Sequence, residues 1–299
     1  MPPVTSAEIV AHLAELGLAT AVIGAPDEAP LTAVATDAQA AAGELAWSKR
    51  PGAAAGFQGS LLICSAEAVE GLTDEARAGG EASGDEASGG EAGGKAADSA
   101  GKVVVVSERP RLAMALVVGR FFAHLAADRA AVYADPATAR QVDDGRAWVR
   151  NAAVGHNVRI EPLATVGCAG MGYERDDQGH LVPFPQLGGV VLEDDVHIAA
   201  QAMVQRGAIG DTVVRRGAKI GPHVNVGHNA EIGEDCLVAG HAQIGGGARI
   251  GRGTMVWQSA AVANGVRVGE GAVIGMGAMI RHEVGAGEVW AGNPGKRLR

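Results

Sequence analysis

Between Val214 and Ile280 a branched aliphatic residue returns at every sixth position: Val214, Ile220, Val226, Ile232, Val238, Ile244, Ile250, Val256, Val262, Val268, Ile274 and Ile280. A small residue usually stands two positions earlier (Ala218, Ala230, Cys236, Ala242, Ala248, Thr254, Ala260, Ala272, Ala278). A glycine often follows directly (Gly221, Gly227, Gly233, Gly245, Gly251, Gly269, Gly275). An amphipathic helix repeats near 3.6 residues and a half-buried strand near 2, so neither produces this spacing. A period of six is the signature of a parallel β-helix. Three hexapeptides close one triangular coil, so residues roughly 18 apart stand above one another, with coils about 4.8 Å apart. The aliphatic column points inward, and the small column sits where a larger side chain would crowd the interior. The glycines are expected at corners whose backbone conformation other residues avoid.

The same step extends back through Val142, Trp148, Val154, Ile160 and Val166, and breaks over Cys168–Leu187. It resumes at Leu192, Ile198 and Val204 and slips across Gln205–Val213. Long excursions leave a solenoid at its corners and often carry function. The segment Gly292-Asn-Pro-Gly-Lys-Arg297 reads as a turn closing the last coil. Ahead of the repeats, residues 6–16 predict an amphipathic helix with Ser6 as N-cap and Gly17 as stop. Val22–Ile23, Leu45–Trp47, Leu61–Cys64 and Val103–Val106 predict short strands, and Arg109–Leu125 a second helix. Thr73–Gly101 has no large apolar residue and predicts a disordered insertion. The expected organisation is an N-terminal α/β domain over 1–127 with the insertion at 73–101, a β-helix over 133–292, and a closing segment over 293–299.

Aromatic residues are only 3% of the 299, while hydrophobic residues reach 47% and glycines number 45. The core is therefore one of Val, Ile and Ala rather than rings. A net charge of −9 argues against a nucleic-acid binder, although a local basic site for an anionic substrate remains compatible with it. Three cysteines, Cys64, Cys168 and Cys236, are too few and too scattered for a disulfide framework or a zinc site. Cys236 falls in the small column and belongs to the core. No basic-then-apolar leader opens the chain, and no run approaches the roughly 20 apolar residues of a spanning helix. A cytoplasmic protein without a transmembrane segment is expected.

Nine histidines offer titratable chemistry. His12 and His124 fall on N-terminal helices and His180 in the loop, where packing or surface roles suffice. His223 and His241 share one column of the repeat; His228, Gly246, Asn264 and His282 share another. His228 lies in Val226-Gly-His-Asn229 beside a corner. An imidazole there can take a proton from an attacking amine near neutral pH.

These repeats resemble the hexapeptide acyltransferases, which form left-handed parallel β-helices and assemble as trimers with active sites between neighbouring subunits. More narrowly, the chain is similar to the UDP-3-O-acylglucosamine N-acyltransferase branch. The likeness runs through Gly43-Glu-Leu-Ala-Trp47, Gly170-Met-Gly-Tyr173, Pro185-Gln-Leu-Gly188, Arg206-Gly-Ala-Ile-Gly-Asp-Thr212 and Val226-Gly-His-Asn229. The resemblance implies a mostly β fold, a left-handed parallel β-helix behind a small α/β domain, and a homotrimer. It implies His228 as general base toward the amino group of a UDP-linked amino sugar. It implies Trp47 stacked on the uracil, with Tyr173, Asn229, Gln205 and Arg206 as further substrate contacts. Gly246, Asn264, His282, Asn293 and Lys296 would line the path of the acyl donor. That donor would be an acyl carrier protein thioester or an acyl-CoA, acting as co-substrate with no bound cofactor or metal. A backbone N–H at a coil corner would stabilise the oxyanion.

The chain also departs from that pattern. Gly221-Pro222 replaces an Asp-Asn pair, Gln205 an Asp, Ala53 a Tyr, and Asn264-Gly-Val266 an Asn-Gly-His. In place of C-terminal helices it has Trp290-Ala-Gly-Asn-Pro-Gly-Lys296, similar to the ending of acetyl-CoA-dependent sugar acetyltransferases. An acetyltransferase on another sugar or a small metabolite is therefore an alternative. A γ-carbonic-anhydrase-like metal enzyme using His223, His228 and His197 is another, and a non-catalytic scaffold a third.

Overall fold

The computed structural model describes residues 4–70, 72, 102–135 and 146–299. The expected disordered insertion at 73–101 and the expected first step at Val142 lie outside the described residues. The chain forms two compact units, one of Met1–Ala123 with Tyr173–Pro185, the other of His124–Gly172 with Gln186–Arg299.

The second unit is a three-faced parallel β-helix. Its first face stacks strands that include Ala152–Val154, Val190–Leu192, Thr212–Val214, Glu231–Ile232, Arg249–Ile250 and Arg267–Val268. The second runs through Arg159–Ile160, His197–Ile198, Lys219–Ile220, Leu237–Val238, Met255–Val256 and Val273–Ile274. The third runs through Thr165–Cys168, Met203–Gln205, Asn225–Val226, Gln243–Ile244, Ala261–Val262 and Met279–Ile280. Ile220, Val238, Val256 and Ile274 are successive Cα partners, which is the step of 18. None of the twelve aliphatic landings from Val214 to Ile280 is more than 2% exposed. Burying each contributes roughly 1.5–3 kcal/mol. The small column is equally dry, from Ala218 to Ala278.

Two irregularities interrupt the register. Val166 pairs with Val204, 38 positions on, so the excursion over Cys168–Leu187 lengthens one coil by 20 residues. Val204 pairs with Val226, 22 positions on, so the slip adds four.

Two expectations are corrected here. Trp148 does not occupy the inward column: it is 40% exposed and Val149, 5% exposed, takes the inward place. The next inward residue is Val154, so the step there is five. The glycines directly after each landing do not occupy left-handed corners. The left-handed corner is the third residue after the landing, taken by His223, Asn229, Asp235, His241, Gly247 and Gly253 among others. The post-landing glycines are small because the next coil comes too close. A Cβ on Gly227 would stand 2.6 Å from the backbone nitrogen of Gly246, and one on Gly233 equally close to that of Arg252.

The first unit carries a five-stranded sheet ordered Ala21–Ile23, Val103–Val106, Leu61–Cys64, Glu44–Ser48, Ala33–Val34. Only the first of these pairings is antiparallel. Helix α1, Ser6–Glu15, is capped by Thr5 rather than by Ser6. Thr5 and Glu8 form a reciprocal capping box, and Gly17 ends the turn at φ +65°. Helix α2 is Pro110–Phe121, and the rest of the expected span becomes a 3-10 turn over Ala123–Ala126. The hairpin Tyr173–Arg175 with Leu181–Pro183 belongs to this unit. Among the described residues no helix is long and apolar enough to cross a membrane.

Candidate active site

His228 stands where the third face turns into the first, between Asn225–Val226 and Glu231–Ile232. Its ring Nδ1 lies 3.1 Å from the side-chain oxygen of Asn229. Asn229 is the left-handed corner residue of this coil, φ +58°, a conformation that Asn adopts more readily than most side chains. The four-residue slip surrounds its amide. The Asn229 Nδ2 donates to the carbonyls of Ile209 (2.8 Å) and Gly210 (3.2 Å), and its Oδ1 accepts the Ala208 N–H (2.9 Å). Backbone groups thus fix which end of the amide is oxygen. An oxygen facing Nδ1 can only accept, so in the neutral ring Nδ1 carries the hydrogen and Nε2 the lone pair.

The rest of the setting holds that ring still. The His228 N–H donates to Gln205 Oε1 (3.2 Å), and Gln205 Nε2 donates to Asn225 Oδ1 (3.4 Å). The Asn229 N–H donates to the Thr212 hydroxyl (2.7 Å). Gly170, from the long excursion, lies against the ring: a Cβ there would come within 3.1 Å of His228 Cβ and Cδ2. One coil along, Gly246 lies close to another part of the ring. A Cβ on it would sit 2.7 Å from Nε2, so any side chain at 246 would cover that nitrogen. The Gly246 N–H donates to Asn264 Oδ1 at 2.9 Å. His282, at the end of this column, is exposed.

Arg206 does not project toward a substrate. It is 2% exposed, and its guanidinium donates to the carbonyls of Gly188 (2.7 Å), Ala126 (3.1 Å) and Leu187 (3.1 Å). Burial, then the neighbouring Arg129, lowers its pKa. Its work is to tie the slip to the chain that returns from the excursion. Asn293 and Lys296 are exposed in the closing segment, whose turn folds onto the third face through Gly295 N–H to Met279 O (2.9 Å). Trp47 and Tyr173 belong to the first unit. There Trp47 faces Phe184 at 6.2 Å between ring centroids, and Arg111 lies over Phe184 while pairing with Glu174 at 2.6 Å.

The histidines of the metal alternative stand apart. His197, on the second face, bonds Glu161 at 3.0 Å. His223 lies at the corner between the second and third faces, stacked on His241 at 4.6 Å. Gly221-Pro222 shares that corner rather than the one holding His228. Among the described residues no group of three His, Cys, Asp or Glu side chains could hold a metal ion.

Sequence reasoning missed the contacts of Gly170 and Thr212 and the bond from Gly246 to Asn264. One signal was present for Asn229: it stands at the step where Gly247, Gly253 and Gly265 stand in later coils.

Residues 211–246 and 247–282 each match the family model described as bacterial transferase hexapeptide (six repeats). Curated relatives are similar over part of the chain. The chain is 46% identical over 77 residues to the UDP-3-O-acylglucosamine N-acyltransferase of Francisella tularensis subsp. holarctica (strain FTNF002-00 / FTA), covering 26% of this chain and 23% of that one. It is 42% identical over 88 residues to the enzyme of the same name from Azorhizobium caulinodans, covering 29% and 24%. For Coxiella burnetii (strain Dugway 5J108-111) the values are 40% over 87 residues, 29% and 25%. The chain thus spans about a quarter of the length of the curated relatives it matches. Among solved structures it is similar to the UDP-N-acetylglucosamine O-acyltransferase of Moraxella catarrhalis, with a TM-score of 0.43 and 18% identity over 57% of this chain and 70% of that one.

Proposed function

We propose that this protein transfers an acyl group from a pantetheine thioester to the amino group of a nucleotide-linked amino sugar. The observation that carries the reading is the base: Asn229 fixes the tautomer of His228, and the absence of a side chain at Gly246 leaves Nε2 open. Nε2 accepts a proton as the amine attacks the thioester carbonyl. The charge that develops on the carbonyl oxygen is met by the Gly246 N–H, the backbone donor of the residue next to Nε2. Collapse breaks the C–S bond, and the leaving sulfur takes the proton back from the imidazolium. The names of the curated relatives support an amine acceptor on a UDP-linked sugar. Trp47 and Tyr173 would hold the nucleotide and sugar, while His282, Asn293 and Lys296 would line the donor's path. The assembly would be a homotrimer in the cytoplasm.

The donor is either an acyl carrier protein thioester or an acyl-CoA. The closing turn over Gly292–Lys296 favours the second, with acetyl-CoA and a smaller acceptor as the other reading. Free-thiol release from each donor, against a panel of UDP-amino sugars, separates them. His228→Ala should abolish release with the oligomer unchanged by light scattering; near-wild-type rates in that variant would remove the base and the proposal with it.

A further inference from the structure

Coil N–H groups around this corner are mostly spent on backbone carbonyls of the next coil, as Gly227 donates to Ile244 O and Gly245 to Val262 O. In the column of His228 side chains take the N–H instead: Gln205 Oε1 holds that of His228, and the Oδ1 of Asn264, a residue exposed at the surface, holds that of Gly246. A bond to an exposed, rotatable carboxamide is displaceable at small cost, since the net value of such a bond is modest. A bond to a strand carbonyl is not, because the whole coil would have to move.

We propose that Asn264 is a positioning residue for the acyl donor: its carboxamide oxygen occupies the place of the thioester carbonyl oxygen and yields it when the donor binds. This rests on the acyl-transfer reading above. Three features support it. The donor concerned belongs to the residue whose added Cβ would stand 2.7 Å from Nε2 of His228. The occupant is a neutral sp² oxygen, the same kind of acceptor as a thioester carbonyl. It comes from the next coil along the same column, so rotation about its side-chain bonds clears the site without moving a strand. The resting placeholder keeps the N–H aimed and satisfied between turnovers. The reaction itself is unaltered: no bond to Asn264 forms or breaks.

The placeholder competes with the donor, and that gives a signature that a packing residue would not. Asn264→Ala should lower KM for the acyl donor by about two- to tenfold, with KM for the sugar unchanged. Asn264→Asp places a carboxylate beside the developing oxyanion. It should raise donor KM and lower kcat about tenfold or more. A second readout needs no turnover: hydrogen exchange and the amide resonance of Gly246, with and without a non-reactive thioether analogue of acyl-CoA. The Gly246 amide should exchange faster in Asn264→Ala, and the analogue should restore its protection. If the wild type transfers acyl groups but Asn264→Ala keeps the donor KM, or the analogue leaves the Gly246 amide untouched, the placeholder is wrong and the function stands. Should the wild type release no thiol from any donor, both fall together.

Discussion

Asn229 does two jobs with one side chain, holding a left-handed corner and the Nδ1 hydrogen of His228. The two are separable. Asn229→Gly keeps the corner conformation at no steric cost but removes the acceptor. Steady-state kinetics should then show kcat lower by about 10- to 100-fold, while circular dichroism keeps the wild-type fold and the melting point falls, because the Ala208 N–H and the Ile209 and Gly210 carbonyls lose their partner. An unchanged kcat would mean that the ring needs no such hold. The repeat brought His228 forward because it sits beside a corner, while Gln205 and Asn229 came forward through the resemblance to the acyltransferases. Neither could show that Arg206 spends its donors on three carbonyls, since nothing in a one-dimensional pattern separates a buried guanidinium from a reaching one. Thr5 was overlooked for a related reason: Ser6 is as good a capping residue by type, and only the reciprocal bond to Glu8 decides between them.

A coil depends on two kinds of glycine, and substitutions tell them apart. At Gly227 the obstacle is the backbone of the next coil, 2.6 Å from a new Cβ, so Gly227→Ala should cost about 1–3 kcal/mol as coils are pushed apart. Gly247, at φ +68° with nothing within 4 Å, faces only the conformational penalty. Gly247→Asn should therefore change urea-melt stability by less than about 1 kcal/mol. Cys236 supplies an element-scale test in pH. Burial pushes its thiol up from 9.0 to about 11. Above pH 9 the unfolded chain loses this proton while the folded one keeps it. Stability therefore falls as pH rises from 9 to about 11, by about 1.4 kcal/mol per pH unit. Cys236→Ala, in a column otherwise mostly alanine, should flatten that decline in urea melts at pH 8 and 10. The aliphatic column was legible because every coil repeats it. The misplacement of Trp148 arose where repetition fails: near Asn151 the chain steps by five, and a bulky apolar residue falls on the count of six while facing outward.

Across the whole β-helix, stability runs from neighbour to neighbour, so its last coil is held by what covers it. Gly292–Gly295 brackets Met279 with hydrogen bonds to both its N–H and its carbonyl. Deleting residues 293–299 should raise amide exchange across Val273–Ile280 while leaving the central coils near Val226 and Ile244 protected. Uniform loss of protection would instead mean that the unit unfolds as one. The slip at Gln205–Val213 has a different kind of consequence. A solenoid of near-identical coils is like a street of identical houses, in which a visitor has no means of telling one corner from the next. Four additional residues give one corner an address. Among the described residues, only there do the backbone groups of a slip turn an asparagine amide so that its oxygen faces the neighbouring imidazole. A copy of any later coil would lengthen the street without creating a second address.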